Sequence, residues 1–113
     1  MKILLMGAVT FALLPLANAQ DDGVDADRIY KKSCRKCHDK DGSGGTPAGK
    51  KLKVKDYSKA SNQAQFTDEE AFKAIREGVN DKDGEELMEA YPDFSDAEVN
   101  ALVALVRSFA KPE

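Results

Sequence analysis

Apolar residues recur at helical spacing in two stretches of the chain, and nowhere do they alternate over enough positions to predict a strand. In FSDAEVNALVALVRSFA, residues 94–110, Val99, Leu102, Val103, Val106 and Ala110 fall on one side of a 3.6-residue turn, and Leu105 and Phe109 widen that side. Ser95 and Glu98 stand at the spacing of a capping box, with Phe94 and Val99 placed to staple the first turn. The pattern predicts a helix over residues 96–110. FTDEEAFKAIREGVN, residues 66–80, repeats the grammar: Thr67 and Glu70 form the box, Phe72, Ile75 and Val79 the apolar stripe, and Gly78 stands at the exit. A third helix is predicted over residues 25–37, with Ile29 and Tyr30 as its apolar contacts, and shorter helical turns at residues 49–54 and 84–90. The intervening residues 38–65 are polar and glycine-rich, which predicts loop with at most one short helix.

Three short helices offer few large apolar side chains for a chain of 113 residues, so the core they predict is thin. Something besides side chains is expected in the interior.

The first twenty residues, MKILLMGAVTFALLPLANAQ, have one basic residue, an apolar run from Ile3 to Leu16, and Ala17 and Ala19 flanking Asn18. A charged head, a short apolar middle and an A-x-A site predict a secretory signal over residues 1–19, with residues 20–113 as one mature domain. The apolar run is shorter than the ~20 residues a bilayer-spanning helix needs, and no second run approaches that length, so no membrane span is expected after cleavage. An exported, periplasmic location follows. The formal net charge of −3 is distributed unevenly. Arg28 to Lys59 holds eleven basic residues against three acidic ones, and residues 60–113 are strongly acidic. An acidic, exported protein is a poor candidate for binding nucleic acid. The basic segment is suited to steering an acidic protein partner.

That basic segment contains KKSCRKCHDKDGSGG, which holds the chain's only cysteines, Cys34 and Cys37, and its only histidine, His38. A structural zinc site needs four ligands, usually as two separated pairs, and only three are present here. A C-x-x-C dithiol of an exported thiol–disulfide oxidoreductase is a better alternative, although no βαβ pattern accompanies it. Attachment of one haem c explains more. Cysteines at i and i+3 place both sulfurs on one side of a helical turn, where they can form thioethers to one edge of a porphyrin, and the next residue turns its imidazole to the iron. His38 supplies one axial ligand. With Met1 and Met6 removed in the signal segment, Met88 is the only thioether left for the other axial position. A haem peroxidase or gas sensor, the remaining alternative, would keep that sixth position open and needs distal acid–base groups.

CRKCH, GTPAGKKL, FTDEEAFKAIREG, LMEAY and FSDAEVNALVALVRSFA occur in the order found in class I cytochromes c, and the chain resembles these small bacterial monohaem proteins over residues 25–111. The resemblance implies the all-α cytochrome c fold wrapped around one covalent haem, with the first and last helices crossing so that Ala26 and Tyr30 face Leu102 and Leu105. It implies a pocket that includes Pro47, Leu52, Phe72 and Ile75, with Leu87 and Phe94 adding apolar packing and the Pro47 carbonyl accepting the free ring N–H of His38. It implies a monomeric one-electron carrier rather than an enzyme. Redox partner proteins with acidic surfaces would dock over Lys31, Lys32, Arg35, Lys36, Lys50 and Lys51. The chain departs from the family at Ala26, often glycine there, and at Glu89, often the proline that stiffens the ligand loop. Tyr57 and Tyr91 are candidates for packing or for bonding the haem propionates.

Overall fold

Asp25 starts the first helix, its carboxylate accepting from the Arg28 amide at 3.1 Å, in a computed structural model that describes residue 7 and residues 23–113. Apart from Gly7, the signal segment predicted over residues 1–19 lies outside the described residues. The elements in order are α1 (Ala26–Ser33), α2 (Arg35–His38), α3 (Pro47–Leu52), α4 (Ala60–Gln63), α5 (Asp68–Glu77), β1 (Val79–Asn80), β2 (Glu86–Met88) and α6 (Asp96–Ser108).

Both capping boxes form as predicted. Thr67 accepts from the Glu70 amide and Glu70 from the Thr67 amide, and Ser95 and Glu98 do the same at α6. Each such cap contributes about 1 kcal/mol by satisfying amides that a helix start leaves unpaired. The helix predicted over residues 25–37 is two helices joined at Cys34, which stays in the right-handed region but with φ widened to −118° (ψ −36°). Its amide still bonds to the Tyr30 carbonyl at 2.8 Å, so α2 follows directly on α1. The turn predicted over residues 49–54 begins earlier, at Pro47, whose fixed φ suits the first helical position, and it ends at Lys53 with φ 55°.

The largest departure is at residues 79–88, where a short antiparallel pair, β1 against β2, replaces the helical turn predicted over residues 84–90. The connection is built by Asp81, whose carboxylate accepts from the amides of Asp83 (2.8 Å) and Glu85 (2.9 Å). Such a side-chain-closed turn competes directly with helix formation.

α6 packs against both α1 and α5, and α2 against α3. Among the described residues the buried apolar ones are few: Tyr30 from α1, and Val99, Ala101, Leu102 and Val103 from α6. The Tyr30 ring meets Phe109, just past α6, with centroids 5.2 Å apart. Buried Gln63 is fully satisfied, its amide nitrogen donating to the carbonyls of Tyr57 (2.8 Å) and Val106 (2.7 Å). These bonds seat the polar α4 region on α6. The thin core is as expected, and several of the other apolar side chains, Phe66, Ile75, Val106 and Leu52 among them, line a cleft instead.

Candidate haem site

Cys37 and His38 are presented by α2 and Cys34 stands at its N-cap, with α3 packed against α2. The Thr46 hydroxyl caps α3 by accepting from the Gly49 amide at 3.0 Å and donates to the Lys36 carbonyl at 2.6 Å. Gly49 lets the two helices approach closely, since a Cβ there would lie 2.2 Å from the Cys37 carbonyl oxygen and 2.4 Å from that of Gly44. Beyond His38 the chain turns at Asp39, φ 66°, and the Gly44 amide returns to the His38 carbonyl at 2.9 Å.

In front of α2 lie two adjoining cavities of about 180 and 740 Å³, both lined by Cys34, His38, Lys55, Tyr57 and Met88. Together they form one cleft, of the scale that takes a bound small molecule. Tyr30, Phe66, Ile75, Leu102, Val103 and Val106 make the smaller cavity strongly apolar. The larger one runs between α3, with Leu52 and Val54, and the β hairpin, with Val79, Leu87 and Glu89.

Met88 ends β2, paired with Val79 of β1. Gly78, at φ +78°, precedes the pair, and a Cβ on it would lie 2.7 Å from the Met88 carbonyl oxygen. After Met88 the chain is tied to α1 and α5. The Tyr91 amide donates to the Ile75 carbonyl at 2.9 Å. Its hydroxyl donates to the Ser33 carbonyl (2.9 Å) or the Glu89 carboxylate (2.8 Å), and its ring stacks on Phe94 at 4.9 Å.

Of the residues singled out from sequence, Cys34, His38 and Met88 meet in both cavities, Cys37 and Leu52 line the larger and Ile75 the smaller. Phe72 and Pro47 line neither; Phe72 instead lies under the Arg76 guanidinium, 5.4 Å from its ring. The bond expected from the His38 ring to the Pro47 carbonyl is not made: Nδ1 is buried without a hydrogen-bond partner. Pro47 opens α3, and a carbonyl in a helix's first turn points along the axis into the helix's own ladder. Tyr57, a candidate for packing or for bonding the propionates, and Phe66, which the sequence did not single out, meet edge to face at 5.4 Å and both line the smaller cavity. They lie in or beside the polar loop, where no periodicity marks them; only the place of Phe66 just before the Thr67 cap, the staple position, hinted at burial.

The electrostatics suit an iron ligand better than a redox dithiol. Burial pushes the Cys34 thiol up to about 11, assisted by Cys37 and Glu89, and so disfavours the thiolate that disulfide exchange requires. Cys34 and Cys37 are not bonded to each other. Burial also lowers the pKa of His38, favouring the neutral imidazole that can coordinate a metal. The donor set fits a c-type haem. Two thiols stand beside a neutral imidazole on one wall, with a thioether on the hairpin and an apolar cleft between them.

Residues 21–106 match the family described as cytochrome c oxidase, cbb3-type, subunit III. A solved structure titled KustC0563 c-type cytochrome superposes with a TM-score of 0.68 at 32% identity, covering 78% of this chain and 100% of that one. No curated protein matches the chain. The helix-dominated architecture is the cytochrome c fold, and the chain belongs to this family of c-type cytochrome domains, which carry covalently bound haem and transfer electrons.

Proposed function

We propose that the protein is an exported, monomeric one-electron carrier with a single haem c, attached at Cys34 and Cys37 and ligated axially by His38 and Met88. The observation that carries this reading is that Cys34, His38 and Met88, from opposite halves of the sequence, line the same two cavities. When bound, the haem would supply a ferric/ferrous couple. His38 would bind as neutral imidazole, and the Met88 sulfur would favour the ferrous state. Tyr57, Phe66, Ile75 and Val106 would keep water from the ring.

Among the described residues Val79 and Leu87 are the exposed large apolar ones, each 37% accessible, and both stand at the hairpin side of the larger cavity. Electrons would enter and leave at this mouth. The α2–α3 lip carries Lys36, Lys51, Lys53 and Lys55, and the hairpin lip Glu86 and Glu89. An acidic partner would therefore approach over α2 and α3 rather than over the hairpin. Removal of residues 1–19 would release the domain, and among the described residues no helix is long and apolar enough to cross a membrane.

Mass spectrometry and absorption of protein matured in a host that attaches haem test this reading. The expected product begins at Gln20, carries one covalent haem and, when ferrous, binds carbon monoxide slowly. Colourless protein with alkylatable thiols would favour the oxidoreductase instead, and immediate carbon monoxide binding would favour an open sixth position.

A further inference from the structure

The segment that follows Met88 opens on Glu89 and has little regular structure of its own. One side chain nevertheless gathers it. Arg76, in the last turn of α5, directs Nη1 at the carbonyls of Tyr91 (3.3 Å), Pro92 (3.1 Å) and Phe94, while Nη2 donates to the Asp96 carboxylate at 2.7 Å. The side chain is only 23% exposed, and its guanidinium lies over the Phe72 ring. Charge-assisted bonds in such a half-buried setting are the strong ones, and a planar fork loses little entropy in making several at once. Arg76 follows Ile75 directly, and Ile75 both lines the smaller cavity and accepts the Tyr91 amide.

We propose that Arg76 is the positioning residue of the sixth-ligand arm, pinning residues 91–96 to α5 so that Met88 is presented to the cleft. This rests on Met88 being the axial ligand. The pinning works from both ends of the arm. Gly78 and the Val79–Met88 pair hold its start, and Arg76 holds the return into α6. Without Arg76, three carbonyls and a carboxylate lose their shared donor, and the arm can swing away from the cleft while α5 and α6 stay folded by their own caps and packing.

Arg107 provides a matched control. It also makes a half-buried, multi-acceptor set of bonds, to Asp68 (2.8 Å), the Phe66 carbonyl (2.8 Å) and the Gln63 carbonyl, but it does not touch the Met88 arm. The test compares matured wild type with Arg76→Gln, Arg76→Lys and Arg107→Gln; the lysine variant retains the charge and carries the test should the glutamine variant fail to mature. The readouts are the far-red sulfur-to-iron band of the ferric protein, the rate of carbon monoxide association with the ferrous protein, exchange of the Tyr91 amide, and the urea midpoint. Both Arg76 variants are expected to bind carbon monoxide and exchange the Tyr91 amide at least tenfold faster. Arg107→Gln, which loosens the Phe66 wall and not the Met88 arm, is expected to lower the urea midpoint while keeping the sulfur-to-iron band and a Tyr91 amide exchange rate within twofold of wild type. A wild type that shows the band, with Arg76 variants within twofold of its carbon monoxide rate or with Arg107→Gln exchanging the Tyr91 amide as fast as they do, overturns the role of Arg76 alone. A wild type without the band overturns Met88 ligation and this proposal with it.

Discussion

Replacing Gly49 by alanine sets two effects of opposite sign against each other, and the structure decides between them. In an unobstructed helix the change would stabilise the protein by about 1 kcal/mol through helix propensity. Here the new methyl would sit 2.2 Å from the Cys37 carbonyl oxygen and 2.4 Å from that of Gly44, both backbone atoms that no rotamer change can move. Restoring ordinary contact, which begins near 3.4 Å, requires α3 to retreat from α2 by about 1.2 Å. That movement would stretch the 2.6 Å bond from Thr46 to the Lys36 carbonyl beyond hydrogen-bonding range, at about 0.5–1.5 kcal/mol. Overpacking adds about 1–3 kcal/mol. The net expectation is a loss of about 1–3 kcal/mol, read as a fall of about 0.3–3 M in the urea midpoint followed by far-UV circular dichroism. An alanine variant as stable as the parent would refute the close approach of α3 to α2, and with it the description of how Cys37 and His38 are backed.

Leu102, 1% exposed at the centre of the small core, should cost about 2–5 kcal/mol when truncated to alanine, and thermal or urea denaturation of the matured protein measures it. A cost below about 1 kcal/mol would mean that the site is not close-packed. Burial raises the pKa of Tyr30 and of Tyr91, which Glu89 raises further by accepting from its hydroxyl. Because the unfolded chain gives up these protons near pH 10 and the folded chain only above it, their contribution is intact below about pH 10. It is lost as pH rises beyond that value. Urea midpoints measured across the alkaline range should fall more steeply for the parent than for a Tyr91→Phe variant; parallel curves would contradict burial of that hydroxyl.

What could be read from sequence was local. The Thr67–Glu70 and Ser95–Glu98 boxes need only neighbours in the chain, and both formed. Cys34, Cys37 and His38 declare themselves by spacing alone. The break at Cys34 and the hairpin at residues 79–88 depend on other matters. β1 is two residues long, too short to show alternation, and its only sequence signal was the Asp83–Gly84 pair typical of tight turns. Phe72 illustrates the limit of periodicity, since the α5 stripe has two flanks. Ile75 faces the cleft while Phe72 packs under Arg76. Tyr57 and Phe66 reach the cleft because Gln63 and Arg107 tie residues 57–68 to α6, bonds between residues about forty positions apart that no short window contains. Arg76 and Arg107 themselves look like ordinary surface arginines in the sequence.

The haem site itself is most directly tested by the ferric absorption spectrum of matured wild type beside Met88→Ala. Covalently coloured wild type with a weak far-red band, and a variant that keeps the covalent haem but loses that band, is the expected pair of results. A colourless wild type, or a band that survives in Met88→Ala, would contradict a cleft in which Cys34, Cys37, His38 and Met88 hold one haem between them.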